Sequence, residues 1–152
     1  MFAPGERTTV EPMSPLRRKI AEHMVMSKRT SAHVTTVFEV DMSRVMKLRA
    51  EHQQGFLERH GVKLTPTPFM VKAAVEALKA FPEMNASLDG DNVVYKKDVN
   101  LGIAVALESG LIVPVIRNAD EKNLLGLSRA IADLAEPARA KQLKPDEVHG
   151  GT

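Results

Sequence analysis

The chain has 152 residues, a formal net charge of +2 from 21 basic and 19 acidic side chains, and no cysteine or tryptophan. Its length suits one domain with a real core, and the missing cysteine excludes disulfides, thiolate metal sites and a cysteine nucleophile. Near-balanced charge with one Tyr and five Phe offers nucleic acid neither a field nor stacking platforms, and no apolar run of about 18 residues is free of charge, so a soluble, cytoplasmic protein without a membrane span is expected.

Residues 1–13 carry Pro4, Gly5, Pro12 and scattered charges without periodicity, the composition of a linker or flexible arm. Ser14 and Pro15 then supply an N-cap and a first-turn proline for a helix on which Leu16, Ile20 and Met24 recur at helical spacing. Arg17, Arg18 and Lys19 fall in its first turn, where the helix dipole disfavours cations, which invites a functional or tertiary reason beside plain solvation. From His33 to Met42 the chain alternates, with Val34, Thr36, Phe38, Val40 and Met42 on one side, the pattern of a half-buried strand. Ser43 is placed to cap the next helix, whose Val45, Leu48 and Phe56 share a face and which Gly61 should stop.

Thr65-Pro66-Thr67-Pro68 demands extended backbone and then offers Thr67 as cap and Pro68 as first helical residue. Met70, Ala74, Ala77, Leu78 and Phe81 form the expected buried stripe until Pro82 ends the helix. A short hairpin follows, with strands near 86–88 and 93–95 around Asp89-Gly90. Val99 to Ile116 then holds two apolar, β-branched runs hinged at Glu108-Ser109-Gly110, which reads as a hairpin of two buried strands. Pro114 has no N–H for a ladder, so its strand must lie at an edge, carry a bulge or face a non-strand partner there, an irregularity suited to ligand entry. After a polar loop at 118–122, Leu124, Leu127, Ile131 and Leu134 mark a helix to about Ala135, where Pro137 disturbs it. Such irregular alternation predicts an α/β (α+β, two-layer) fold, a mixed sheet flanked by helices.

Taken in order, several segments together resemble one family, the catalytic domain of the dihydrolipoamide acyltransferase component of 2-oxoacid dehydrogenase complexes. Pro15-Leu16-Arg17-Arg18-Lys19-Ile20-Ala21-Glu22-His23-Met24 is similar to its opening helix, and Ser31-Ala32-His33-Val34-Thr35 with Glu39-Val40-Asp41 to its first strand. Pro82-Glu83-Met84-Asn85-Ala86-Ser87, Asn100-Leu101-Gly102-Ile103-Ala104-Val105 and Gly110-Leu111-Ile112-Val113-Pro114-Val115 resemble its central motifs, and Gly150-Gly151-Thr152 the start of its next strand. The resemblance covers residues 14–152 and implies a chloramphenicol-acetyltransferase-like fold, incomplete here, assembled as trimers with sites between subunits. Ser31 to Thr35 look more like the acetyl and branched-chain types than the succinyl type.

The implied reaction moves an acyl group from a lipoyl thioester, carried on a separate lipoyl domain, to coenzyme A, with the decarboxylase and dihydrolipoamide dehydrogenase components as further partners. Thioester exchange needs a base, because a thiol of pKa ~8.5 is only slightly ionised at neutral pH. The family's base is the histidine of a His-x-x-x-Asp-Gly motif, and none of His23, His33, His52, His60 and His149 is so followed. The expectation is therefore a catalytic domain truncated before that motif, inactive alone, with no catalytic residue of its own; a non-catalytic coenzyme A-binding or core-assembly module is the alternative. Arg49 matches a family arginine that contacts coenzyme A, and its forked donors suit phosphate. Thr65 matches a hydroxyl at the same site, and Ala106 falls where some relatives carry an aspartate, leaving only its backbone to take part. His33 and Arg17 are candidates for the substrate channel, His33 reading more readily as a structural hydrogen-bonding residue. No histidine pair has ligand spacing with a carboxylate, so no metal is expected.

Overall fold

Prolines and glycines set the element boundaries in the computed structural model, which describes residues 7–107 and 110–152. The chain divides into two compact units, one ending at Val40 and the other running from Asp41 to Thr152. In the first, Ser14 Oγ accepts from the Arg17 amide at 3.3 Å and Pro15 opens α1 (Pro15–Thr30), as the Ser-Pro pair requires. No residue of α1 is buried, and Leu16, Ile20 and Met24 are all exposed. The strand expected over 33–42 is absent: residues 33–42 join no ladder, and Val34 and Phe38 are 89% and 83% exposed. Alternation specifies which side chains share a face, but a strand also needs a neighbour for its backbone groups, and this unit supplies none among its described residues.

The second unit begins with α2 (Ser43–His60). Its cap differs from the expected one: Asp41 Oδ1, not Ser43, accepts the free amide, taking the Ser43 N–H at 2.8 Å. A carboxylate is the stronger acceptor at the positive end of a helix, so Ser43 becomes the first helical residue. Gly61 ends α2 with φ +69° and its amide on the Leu57 carbonyl at 2.8 Å. The next helix, α3 (Thr67–Ala80), starts one residue before the expected position and stops at Phe81-Pro82. Its buried residues are Pro68, Val71 and Val75, whereas Met70, Ala74, Ala77 and Phe81 are exposed, so of the stripe expected from sequence Leu78 alone packs against the core. Both faces are apolar, and the β-branched one is packed.

After a 3₁₀ turn at Pro82–Asn85, β1 (Ala86–Asp89) and β2 (Asn92–Tyr95) pair antiparallel as expected, with Gly90 at φ +58° in the connection. The long hairpin comprises β3 (Leu101–Gly102), β4 (Val105–Leu107), β5 (Gly110–Ile112) and β6 (Val115–Ile116). β3 pairs with β6 and β4 with β5, both antiparallel, and Leu101↔Ile116 continues in one register to Leu107↔Gly110. Glu108 and Ser109 of the expected hinge lie outside the described residues. Between the two ladders, Ile103 N–H donates to the Pro114 carbonyl at 2.9 Å, while Pro114 returns no bond. The proline thus splits one hairpin into two short ladders without shifting its register. Gly102, paired with Val115, is needed beside this gap, because a Cβ there would stand 2.9 Å from Val113 Cγ1.

Burial along the hairpin is uneven. Val105, Pro114, Val115 and Ile116 are buried, but Ala106, Leu111 and Val113 are exposed, which corrects the expectation of two buried strands. Among the described residues the strands form antiparallel pairs, with helices α3 and α4 (Leu124–Arg139) packed beside them. The core joins Val71 and Val75 of α3, Val99, Ile116 and Ala119 around the hairpin base, and Leu127 of α4. Asn123 Oδ1 caps α4 by accepting from Gly126 N–H at 2.8 Å. The helix runs through Pro137 instead of ending near Ala135. A proline so close to the C-terminus removes one bond, and Ala138, 1% exposed, anchors the last turn.

Two outcomes follow from these contacts. Leu127→Ala should lower the unfolding free energy by about 2–5 kcal/mol, whereas Leu88→Ala, at a site 80% exposed, should change it by less than about 0.5 kcal/mol; denaturant titration measures both. Hydrogen bonds from the Ser43 hydroxyl and then its amide hold the Asp41 carboxyl below its ordinary value of 3.8. The α2 cap is therefore complete above that value and lost as pH falls through the lower folded one. An NMR acid titration should place the Ser43 amide transition below pH 3.8, and Asp41→Asn should abolish it.

Candidate functional site

Gly61 turns the chain back along the helix it ends, so that residues 63–65 line a pocket with side chains from the middle of α2. The turn is held by Arg49, whose Nε donates to the Leu64 carbonyl at 2.9 Å across 15 residues of sequence. Leu64 is itself buried, which fixes that carbonyl in place. A pocket of about 180 Å³ results, walled by Arg49, Gln53, Gln54 and Leu57 from α2 and by Lys63, Leu64 and Thr65 from the turn. Arg49 and Thr65 are brought together on its walls.

The pocket is electropositive. No carboxylate forms an ion pair with Arg49 or Lys63 among the described residues, where the ion pair found is Lys72–Glu76. The nearest carboxylate by helix spacing, Glu58, accepts instead from Gln54 Nε2 at 2.7 Å. Since Nε of Arg49 is committed to Leu64, the two terminal nitrogens of the guanidinium are the edge left for a ligand. Lys63 was missed by the sequence reading, although its position two residues from Gly61 and two from Thr65 was a usable signal.

Ala106 lies elsewhere. It lines a second pocket, of about 360 Å³, with Leu107, Arg139 and Lys141, and is not among the walls of the Arg49 pocket. Nothing in the sequence linked Arg139 and Lys141 to Ala106; only the packing of α4 against β4 does so. His33 and Arg17 both belong to the N-terminal unit. The His33 ring nitrogen Nδ1 is 2.9 Å from the Ser31 carbonyl, a local bond within an exposed turn. Arg17 uses its amide on Ser14. No group of three or more His, Asp or Glu side chains is disposed to hold a metal among the described residues, and none of their helices is long and apolar enough to cross a membrane.

A further clasp closes the base of the hairpin. The Arg117 guanidinium donates to the carbonyls of Asp146, His149 and Gly150 at 3.1, 2.6 and 3.3 Å. Asn100 accepts from the Asn118 amide through Oδ1 at 3.1 Å and donates its own amide to Thr152 Oγ1 at 3.0 Å. This clasp positions the last residues beside β3 and takes no part in either pocket.

The model of the 2-oxoacid dehydrogenases acyltransferase (catalytic domain) family matches residues 5–152. The succinyltransferase component of the 2-oxoglutarate dehydrogenase complex of Cupriavidus necator is 46% identical over 149 residues, 98% of this chain and 35% of that protein. The crystal structure of a probable dihydrolipoamide acetyltransferase from Listeria monocytogenes superposes with a TM-score of 0.87 at 37% identity, covering 99% of this chain and 63% of that one. The cubic core of a pyruvate dehydrogenase multienzyme complex gives a TM-score of 0.87 at 38% identity, over 97% and 61%. The chain thus spans about a third of the curated relative's length. Similarity to both a succinyl and an acetyl protein singles out neither acyl type, including the one suggested by Ser31 to Thr35.

The Arg49–Leu64 bond yields its own test. Arg49→Lys keeps the charge but loses the planar fork, and should speed amide exchange over residues 62–65 with a stability loss of about 0.5–1.5 kcal/mol; hydrogen exchange measured by NMR reads both.

Proposed function

Because the chain belongs to the family of 2-oxoacid dehydrogenase acyltransferase catalytic domains, we propose that the pocket on α2 binds coenzyme A and that the chain serves the transfer of an acyl group from a lipoyl thioester to it. The observation that carries this reading is the meeting of Arg49 with Thr65 in one electropositive pocket. A guanidinium held by its Nε presents two parallel donors to a phosphate, and the Thr65 hydroxyl can donate a third bond. Ala106, in its separate pocket, takes part in the coenzyme A channel through its backbone alone.

These residues hold and orient. The acyl step needs a base that ionises the thiol and a donor that steadies the tetrahedral oxyanion, and none of the five histidines of this sequence stands in a His-x-x-x-Asp-Gly motif. The work assigned to this chain is binding and placement of the acceptor. His33 and Arg17 are assigned to a substrate channel on the strength of the family resemblance. The lipoyl group arrives on a separate domain, the decarboxylase and dihydrolipoamide dehydrogenase components are the further partners, and the setting is the cytoplasm. Similarity to the cubic-core structure supports self-association, with trimers as the unit.

Titration of coenzyme A into the full chain by calorimetry should give saturable binding, weakened roughly tenfold or more by Arg49→Ala, the loss expected for one charge-assisted contact. Absence of binding at millimolar coenzyme A, or unchanged affinity in Arg49→Ala, would reject the reading.

A further inference from the structure

Residues 32–40 have the pattern of a strand and no neighbour. Every one of them is exposed, they join no ladder, and among the described residues none of their backbone groups meets another backbone group. Ala32, Val34, Thr36, Phe38 and Val40 alternate with His33, Thr35, Val37 and Glu39, so a pleated chain would present one apolar and one mostly polar side.

The segment is complementary to itself when a second copy runs antiparallel about Thr36. That register sets Val34 opposite Phe38, His33 opposite Glu39, Thr35 opposite Val37, Ala32 opposite Val40, and Thr36 opposite its own copy. Aromatic with β-branched, base with acid, and threonine with threonine are pairings that stabilise neighbouring strands, and no like charges meet. His33 Nδ1 lies 2.9 Å from the Ser31 carbonyl, which leaves Nε2 as the nitrogen to face the opposite strand. A centre at Thr35 or Val37 puts Glu39 opposite Ser31 or Thr35 and parts Val34 from Phe38. A centre between two residues sets the apolar side against the polar one.

Two strands alone make a weak ribbon, and a helix packed on one face is what gives such a ribbon stability. The same unit carries α1, whose Leu16, Ile20 and Met24 form an exposed apolar stripe. In a pair of copies, two such helices supply a second layer over the side that bears Val34, Phe38 and Val40.

We propose that the N-terminal unit is an association surface for a second copy of this chain, in which residues 32–40 of the two copies pair antiparallel about Thr36 beneath their α1 helices. The contact is isologous: each strand gives its partner the same set of pairs that it receives. It joins copies in twos and is independent of the coenzyme A reading.

The chain has no cysteine, so introduced cysteines report the register. Opposed Cα atoms of antiparallel strands stand about 4.5–5.5 Å apart, within the roughly 4.4–6.8 Å that a disulfide spans. With oxidised glutathione and the full-length chain at micromolar concentration, Thr36→Cys should give a two-chain species on a non-reducing gel. Val34→Cys alone should not, because its two copies sit four residues apart along the pair, about 13 Å. Mixed with Phe38→Cys it should link one of each, identified by mass spectrometry of the joined peptides. Glu39→Lys in the Thr36→Cys chain should slow linking several-fold by facing His33 with a cation, and adding His33→Glu should restore it. Thr36→Cys remaining single-chain, linking of Val34→Cys alone as fast as Thr36→Cys, or no recovery in the charge-exchanged chain overturns the pairing. Each of these leaves the coenzyme A titration and the reading it tests untouched.

Discussion

The larger unit depends on the unbroken register of the Val99–Ile116 hairpin. Ile103 N–H to the Pro114 carbonyl is the bond that carries the register across the gap between the two ladders. On the inner side of that gap, Val99 and Ile116 enter the core with Val71, Val75 and Leu127. Val99 also receives the Ala119 amide on its carbonyl at 2.8 Å, which ties the exit of the hairpin to its entrance. Slipping the register by one residue would turn Ile116 from the core to solvent. Burial of each such side chain is worth about 1.5–3 kcal/mol, and the one ladder bond that Pro114, without an N–H, cannot return is a small concession against that.

Local chemistry was legible wherever a single residue type decides the backbone. Ser14-Pro15, Gly61, Asp89-Gly90 and Phe81-Pro82 all bound elements as their φ preferences and missing donors demand. What failed was the choice between two equally apolar surfaces. On α3, the expected stripe of Met70, Ala74, Ala77, Leu78 and Phe81 competes with Val71 and Val75, and the position of the hairpin base selects the latter pair, with Leu78 alone of the expected stripe packed against the core. The alternation of residues 33–42 specified a face without a neighbour to pair with. Pro137 signals a stop in sequence, but the burial of Ala138 offsets its cost and keeps the last turn.

The site divided in the same way. Arg49 and Thr65 were recognisable by motif and converge because Gly61 reverses the chain beside α2. Lys63 belongs to the same reversal and was within reach of the same reasoning. Arg139 and Lys141 were not, since they approach Ala106 through packing of α4 that no short motif encodes. Family resemblance identified the fold and the candidate contacts; geometry separated them into two pockets.

One consequence of the Arg49–Leu64 bond reaches beyond geometry. The same guanidinium braces a loop with one edge and faces a cavity with the other. An anion held on the free edge stabilises only the braced state, so occupancy and loop order are thermodynamically linked. A ligand on that free edge would make opening of the 63–65 turn and its own release coupled steps, because both draw on the same guanidinium.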